Sequence, residues 1–279
     1  MFSIATPTLN AGMRIRSCIG SVRGQAPAAF EHIIQDGGST DGSVEWLRQQ
    51  DHVSLETGAD GGMYDAIGKG WSKARGEVLS WLNADEQYLP GTLCRVGEYF
   101  DGHPDVDAVF GNAIIVRPDG TPLAARREIP LRAIYVRNGF LYAFSCTMFF
   151  RRRLWELGLL DFKPRYRYAG DMDLVLRLLG KHIRIAHLDA YLSLFGMNGE
   201  NLSTHLRMER ETRDIHLEHG AFRFRFLRRL MMAARHVERW SEGCYRHEAV
   251  SYRYAENERP DYRNVGPTKV GGRYSWTLK

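Results

Sequence analysis

The chain has 279 residues and a net charge of +5, and 44% of it is hydrophobic, which is enough for a packed domain and too much for a wholly disordered chain. The mild positive excess falls short of a dedicated nucleic-acid binder and suits an anionic ligand such as a nucleoside diphosphate, or an anionic membrane surface. The four cysteines, Cys18, Cys94, Cys146 and Cys244, are scattered without a CxxC pair, which argues against a zinc site or a disulfide framework and for a reducing cytoplasm.

The chain opens MFSIATPTLN, with no basic start followed by an apolar stretch, so no signal peptide is expected, and no apolar run reaches bilayer-spanning length. Phe2 to Thr6 is a short apolar run closed by Pro7 and reads as a first strand, and Ile15, Ile19 and Val22 follow at helical spacing. His32 to Ile34 is a second strand, stopped by the turn-rich QDGGSTDGS, and Ser43 to Gln50 is helical. Val53 to Glu56 is a third strand before the loop GADGG, and Met63 to Ala74 a third helix. Val78 to Leu82 is a fourth strand that runs into LNADE, and Pro90 starts another helix, where proline suits the first turn. This rhythm predicts an α/β fold with an open, mostly parallel sheet covered by helices.

From about Val106 the texture changes. Ala108 to Val116 and the PDG of Pro118 to Gly120 predict a strand and a hairpin turn, Ser145 to Phe150 is a further apolar stretch, and Asp171 to Leu179 is helical. After Thr204 the chain is rich in arginine, glutamate and aromatics, and its last twenty residues show no periodicity. The expected organisation is a donor-binding half over 1–105, a second half of the same domain over 106–205, and a basic helical extension with a tail over 206–279.

In open α/β sheets ligands bind at the carboxyl ends of the strands. TPTLNA, QDGGSTDGS, ETGADGG and LNADE all fall there, polar, acidic and glycine-bearing, and all four converge on one edge. LNADE delivers Asn83, Asp85 and Glu86, and hard divalent cations take such oxygen ligands together with substrate phosphates; the same turn also reads as an ordinary polar loop with a capping acid. Asp36 sits where a carboxylate meets a base or ribose, whereas Ser39 or Asp41 also reads as a cap of the following helix. In GADGGMYDAIGKG, glycines precede a helix whose N-terminal amides favour an anion, and Lys69 reads either as a diphosphate contact or as a solvated helix lysine.

Together TPTLNA, QDGGSTDGS, DGGMYDAIGKG, ARGEVLSWLNADE and GDMDLVLRL resemble, in order and spacing, the family 2 glycosyltransferases, especially the bacterial branch that builds extracellular polysaccharide and O-antigen. The resemblance covers roughly residues 1 to 200. It implies a GT-A fold with a Rossmann-like central sheet, a nucleotide-diphosphate sugar donor with UDP the commonest base, a divalent cation (Mn²⁺ or Mg²⁺) and inversion at the anomeric carbon. Carried over residue by residue, it implies that Thr6, Pro7 and Asn10 line the nucleotide and that Asp36 and Asp60 lie on the nucleoside side. It implies that Asp85 holds the metal and Asp171 is the catalytic base, with Ser39, Gly62, Lys69, Asn83 and Ala84 completing the donor set. Three positions depart from the pattern: Gly37 replaces the second acid of the paired turn, Asn83 replaces the acid that opens the metal motif, and Gly68 replaces an asparagine.

The expected acceptor is a glycan or lipid-linked hydroxyl. Arginines 223, 225, 228, 229, 235 and 239 interleave with aromatic and aliphatic residues, which reads either as a basic amphipathic helix on the inner face of the cell membrane through 207–240 or as a helix packed on the catalytic domain. The NGENLST stretch and His205 read as a loop over the diphosphate or as plain surface. Two rival classes stand beside the enzyme: a catalytically inactive, glycosyltransferase-like scaffold, and a sugar nucleotidyltransferase, which would carry a glycine-rich basic loop after the first strand.

Overall fold

Continuous apolar runs, not alternating ones, mark strands that are covered on both faces. The first strand is covered in this way, with its hydroxyl residues enclosed too: β1 (Phe2–Thr8) is buried at every position. The computed structural model describes residues 1–197, 206–258 and 262–273. After β1 come α1 (Arg14–Arg23), β2 (Phe30–Asp36), α2 (Ser43–Leu47), β3 (Val53–Thr57), α3 (Met63–Ser72) and β4 (Val78–Trp81). The second half contains β5 (Gln87–Tyr88), α4 (Thr92–Gly102), β6 (Ala108–Val116), β7 (Pro122–Arg126), α5 (Ala133–Asn138), a 3-10 turn (Ser145–Thr147), β8 (Met148–Arg151), α6 (Arg152–Glu156), α7 (Gly170–Gly180) and β9 (Ile185–Gly196). The C-terminal part forms α8 (Leu206–Glu218), α9 (Arg225–Ser241), β10 (Glu248–Ala255) and β11 (Tyr262–Val270).

Among the described residues one nine-stranded sheet runs β3-β2-β1-β4-β8-β6-β9-β5, with β7 paired to β6. β3, β2, β1 and β4 are parallel, and Ala5 of β1 lies opposite Ile33 on one side and Trp81 on the other. The chain runs outward from β1 to β3 and then returns to place β4 on the other side of β1. The strand order therefore reverses between β1 and β4, and a ligand crevice is expected at that point. β8 enters antiparallel to β4 and β6, and β6 and β9 run parallel again.

Each face of the sheet carries its own core. Trp71 of α3 packs edge-on to Trp81 at 5.5 Å and stacks with Phe162 at 5.8 Å on one face. On the other, Phe2 meets Phe149 at 6.3 Å above Cys18, Val22 and Phe100. Neighbouring Phe149 and Phe150 serve opposite faces, as the two-residue strand period requires.

Four elements depart from expectation. α2 ends at Leu47, short of Gln50, and the helix expected from Pro90 begins at Thr92, after Gly91 at φ +78°. The aperiodic tail holds a strand: β11 pairs antiparallel with β10, and Val250, Tyr252 and Val270 pack on Leu89, Ile114 and Leu194. β11 is mostly exposed, so it has no apolar alternation to read; its order comes from the backbone ladder. The extension is helical only as far as Ser241. Within it, Arg235 and Arg239 turn inward, 2.9 and 3.1 Å from the buried Glu128, and leave Arg223, Arg225 and Arg229 outside.

Candidate active site

The loops after β1 and β2 are stitched together at the sheet edge. Asn10, at φ +49°, donates its backbone N–H to Ser39 Oγ at 2.8 Å, and its Oδ1 accepts from Thr40 N at 2.9 Å. Pro7 lies inside β1 opposite Gln35. Two predicted residues are buried and bonded within the protein. Thr6 is fully buried with its hydroxyl 2.9 Å from His32 Nε2, so it ties β1 to β2 behind the edge. Burial pushes His32 down to about 3, so this ring is neutral. Asp36 is also buried: its Oδ2 accepts from Gly38 N and Ser39 N at 2.9 Å, and its Oδ1 accepts from the Ser39 hydroxyl. A carboxylate at a buried strand end needs such partners, and here its own turn supplies them.

Gly37, where the second acid is missing, makes room for an acid from the next loop. A Cβ at Gly37 would come within 2.9 Å of Asp60 Oδ2. Asp60 Oδ1 accepts from Gly62 N at 2.8 Å, and Gly62 opens α3 at φ +115°, a conformation that favours glycine. Lys69 is not a free cation at the helix start. It pairs with Asp65 at 2.9 Å and donates to Ala59 O at 3.1 Å, so it braces its own loop.

Beside this edge, Leu82 N donates to Ala5 O at 3.0 Å and carries the chain from β4 into the Asn83–Glu86 turn. Glu86 points inward: its Oε2 accepts from Asn83 N at 2.8 Å, and burial with the neighbouring Asp85 pushes its carboxyl up to about 8. Glu86 is thus the floor of the turn. Asp85 is half-buried, and burial raises its pKa against the opposing charge of Arg14. Asn83 Oδ1 is buried without a hydrogen-bond partner among the described residues. A carboxylate whose charged form is disfavoured, next to an unsatisfied amide oxygen, is a donor set that a hard divalent cation fits. Ala84 packs between them against the α1–α2 core, and a Cβ at Gly196 would overlap the Asp85 carbonyl, so the end of β9 closes on the turn. Asn198 to Thr204 and His205 lie outside the described residues.

Asp171 is the second residue of α7 and half-buried. Its Oδ1 accepts from Tyr64 Oη at 3.0 Å and from Met172 N at 2.8 Å. Burial raises its pKa, and these two bonds pull the other way. Two residues on, Asp173 is fully buried and held by Lys163 at 2.9 Å, Arg177 at 2.8 Å and His219 at 2.9 Å, which keep its carboxyl far below the usual range. Asp173, Glu218 and His219 have metal-like spacing, but Lys163 already bridges the two carboxylates. The loop before α7 is held from outside: Glu211 of α8 accepts from Arg167, Tyr168 and Ala169 N at 2.9, 2.8 and 3.0 Å. Sequence reasoning missed both Tyr64 and Glu211. Tyr64 sits on the apolar face of α3, and nothing local singles out one glutamate among the charges of α8.

The family model of glycosyl transferase family 2 matches residues 3–158, more than half of the chain. The protein is a family 2 glycosyltransferase. A PGL/p-HBAD biosynthesis glycosyltransferase of Mycobacterium tuberculosis is 31% identical over 184 residues, which cover 63% of this transferase and 69% of the relative. A glycosyltransferase of Nostoc sp. is 26% identical over 225 residues, 76% of this chain and 70% of that one. Among solved structures, Staphylococcus aureus TarS 1–349 in complex with UDP-GlcNAc superposes with a TM-score of 0.64 at 19% identity, over 86% of this chain and 72% of that one. The Pyrobaculum calidifontis mannosyltransferase PcManGT, in complex with GDP-Man and Mn²⁺, gives a TM-score of 0.55 at 15% identity, over 86% and 75%. The transferase has the GT-A fold of these neighbours. The matched segment holds every predicted donor-side residue and ends before Asp171. No helix among the described residues is long and apolar enough to cross a membrane.

Proposed function

We propose that this enzyme transfers a hexosyl group, with inversion, from a nucleoside-diphosphate sugar to a hydroxyl of a glycan or lipid-linked acceptor in polysaccharide biosynthesis, and that the donor is a UDP-sugar. The observation that carries the mechanism is the contrast among the carboxylates. Asp36 is buried and satisfied by its own turn, and Asp173 is ion-paired three times. Asp171 is part-exposed, bonded through Oδ1, and raised in pKa by burial. Those are the properties of a general base.

Asp171 takes the proton from the acceptor hydroxyl as that oxygen forms its bond to the sugar's C1. The bond from C1 to the diphosphate breaks on the opposite face, and the diphosphate leaves with the electron pair. The loops carrying Asn10, Ser39, Asp60 and Gly62 bind the nucleotide, largely through backbone groups. Asp85 and Asn83 would hold Mn²⁺ or Mg²⁺, which when bound supplies positive charge to the diphosphate. UDP-GlcNAc in TarS and the Mn²⁺ complex of PcManGT support the donor class and the cation. A thermal-shift screen of UDP- and GDP-sugars with Mn²⁺ tests the donor, since a ligand that binds only the folded state raises apparent stability. A UDP-sugar should give the largest shift; a response confined to GDP-sugars overturns that choice.

The outer face of α9 supports a peripheral contact with the cytoplasmic face of the membrane, as a lipid-linked acceptor needs. Phe226, Leu230, Val237 and Trp240 are exposed along it, beside Arg225 and Arg229. Flotation with anionic and neutral liposomes checks this reading. Equal recovery with both, or with Phe226→Ser and the unchanged protein, counts against it.

A further inference from the structure

We propose that Tyr64 is the positioning residue for the catalytic base, its hydroxyl orienting the Asp171 carboxylate across the interface between α3 and α7. The inference rests on the reading of Asp171 as that base. The bond is 3.0 Å long and spans 107 residues of sequence, so only the tertiary fold creates it. Tyr64 and Met172 N both donate to Oδ1. Among the described residues no other side chain donates to Asp171, and Oδ2 is the oxygen that meets the acceptor's proton.

The tyrosine cannot easily point elsewhere. Its ring stacks on Phe162 at 4.8 Å with 28° between the planes. A Cβ on Gly170, the residue before Asp171, would lie 2.7 Å from the ring, so the start of α7 is shaped around it. Burial raises the Tyr64 hydroxyl well above its ordinary pKa, so it remains a donor at any working pH. Among the described residues the groups that face Asp171 are this hydroxyl from α3 and the Glu211 carboxylate from α8, which disfavours its ionisation. On its own helix, Asp173 is matched by Lys163, Arg177 and His219. Tyr64 is also the second residue of α3, directly after the Asp60–Gly62 loop. One short segment therefore links the donor side to the base.

The sign of the effect follows from the bond. A donor to the charged form stabilises it, so removal raises the base's pKa and moves the acid limb of the rate profile upward. Tyr64→Phe should move that limb by roughly one pH unit and lower kcat about tenfold on the acid side, as expected for loss of a hydrogen bond to a charged group. Above the limb kcat should recover to within about threefold, with the donor KM unchanged. The measurement is Mn²⁺-dependent turnover of UDP-GlcNAc, UDP-glucose and UDP-galactose by the full chain from pH 5 to 9. An unmoved profile, or a uniform fall at every pH, overturns the positioning role. Asp171→Asn is the control: if it retains turnover, the base assignment itself fails, whatever Tyr64→Phe does. If the unchanged protein turns over none of the three sugars, denaturation of Tyr64→Phe, Asp171→Asn and the double variant at pH 5 and 8 decides. Non-additive losses at pH 8 support the coupling, and strict additivity at both values overturns it.

Discussion

The donor side and the base side of this transferase hold their acids in place by different means. On the donor side four carboxylates are met by their own turns: Asp36 by Gly38 and Ser39, Asp41 by Ser43, Asp60 by Gly62, Glu86 by Asn83. Around Asp171 and Asp173 remote partners add to the local bonds from Met172 and Arg177. Asp171 is met by Tyr64, Asp173 by Lys163 and His219, and the loop before α7 by Glu211, which lies 44 residues beyond Arg167. The donor edge is thus a set of self-contained turns that the sheet only needs to align. The Asp171 carboxylate is a positioned group only once α3, α7 and α8 have docked. α8, beyond the segment that the family model matches, therefore helps to hold the loop that leads into Asp171.

The largest expected effect separates the two sides directly. Asp171→Asn should lower turnover by ~10²–10⁴-fold while donor-induced thermal shifts stay near those of the unchanged protein. Loss of both together would place Asp171 on the donor side. Glu211→Ala should come next, because it strips one acceptor from three consecutive backbone amides. A cost of about 1–3 kcal/mol in chemical denaturation is expected, with kcat falling more than the donor KM rises. A KM effect with intact kcat would break the assignment of α8 to the base.

Behind the donor edge, Thr6 and His32 form a buried pair. His32 is held neutral at about 3 in the folded protein against an ordinary value of 6.5, so only the unfolded chain takes up its proton between these values. Stability from this source is complete above about pH 6.5 and should decline by roughly 1.4 kcal/mol per unit as pH falls toward 3. His32→Gln should flatten that part of the stability profile in urea titrations; an unchanged slope would show that other groups set it. The smallest effect tests the third departure from the family pattern. A Cβ on Gly68, in the middle of α3, meets open space, so Gly68→Ala should stabilise by about 0.5–1 kcal/mol without changing kcat.

Much of the donor side was legible because its information is local. Apolar runs of strand length, helical spacing in Ile15, Ile19 and Val22, and turns such as GGSTDGS mark elements and edges without knowledge of their neighbours. What stayed hidden there was the direction of individual side chains. Thr6 and Asp36 are buried and Lys69 bonds its own loop, and none of these internal partners is legible locally. Gly37 read as a lost acid, whereas the space it leaves is taken by Asp60 from the next loop. The β10–β11 pair was invisible for another reason: its register is set by backbone hydrogen bonds, which carry no residue signature.

Composition, periodicity and turn residues were thus sufficient to specify a doubly covered sheet whose strand ends bear acids, since those properties depend on neighbours a few positions apart. Only the folded chain decided which acid is satisfied, which is ion-paired and which stays available to accept a proton. A carboxylate's ionisation and aim depend on desolvation and on donors brought from distant segments, and these do not exist until the helices have packed.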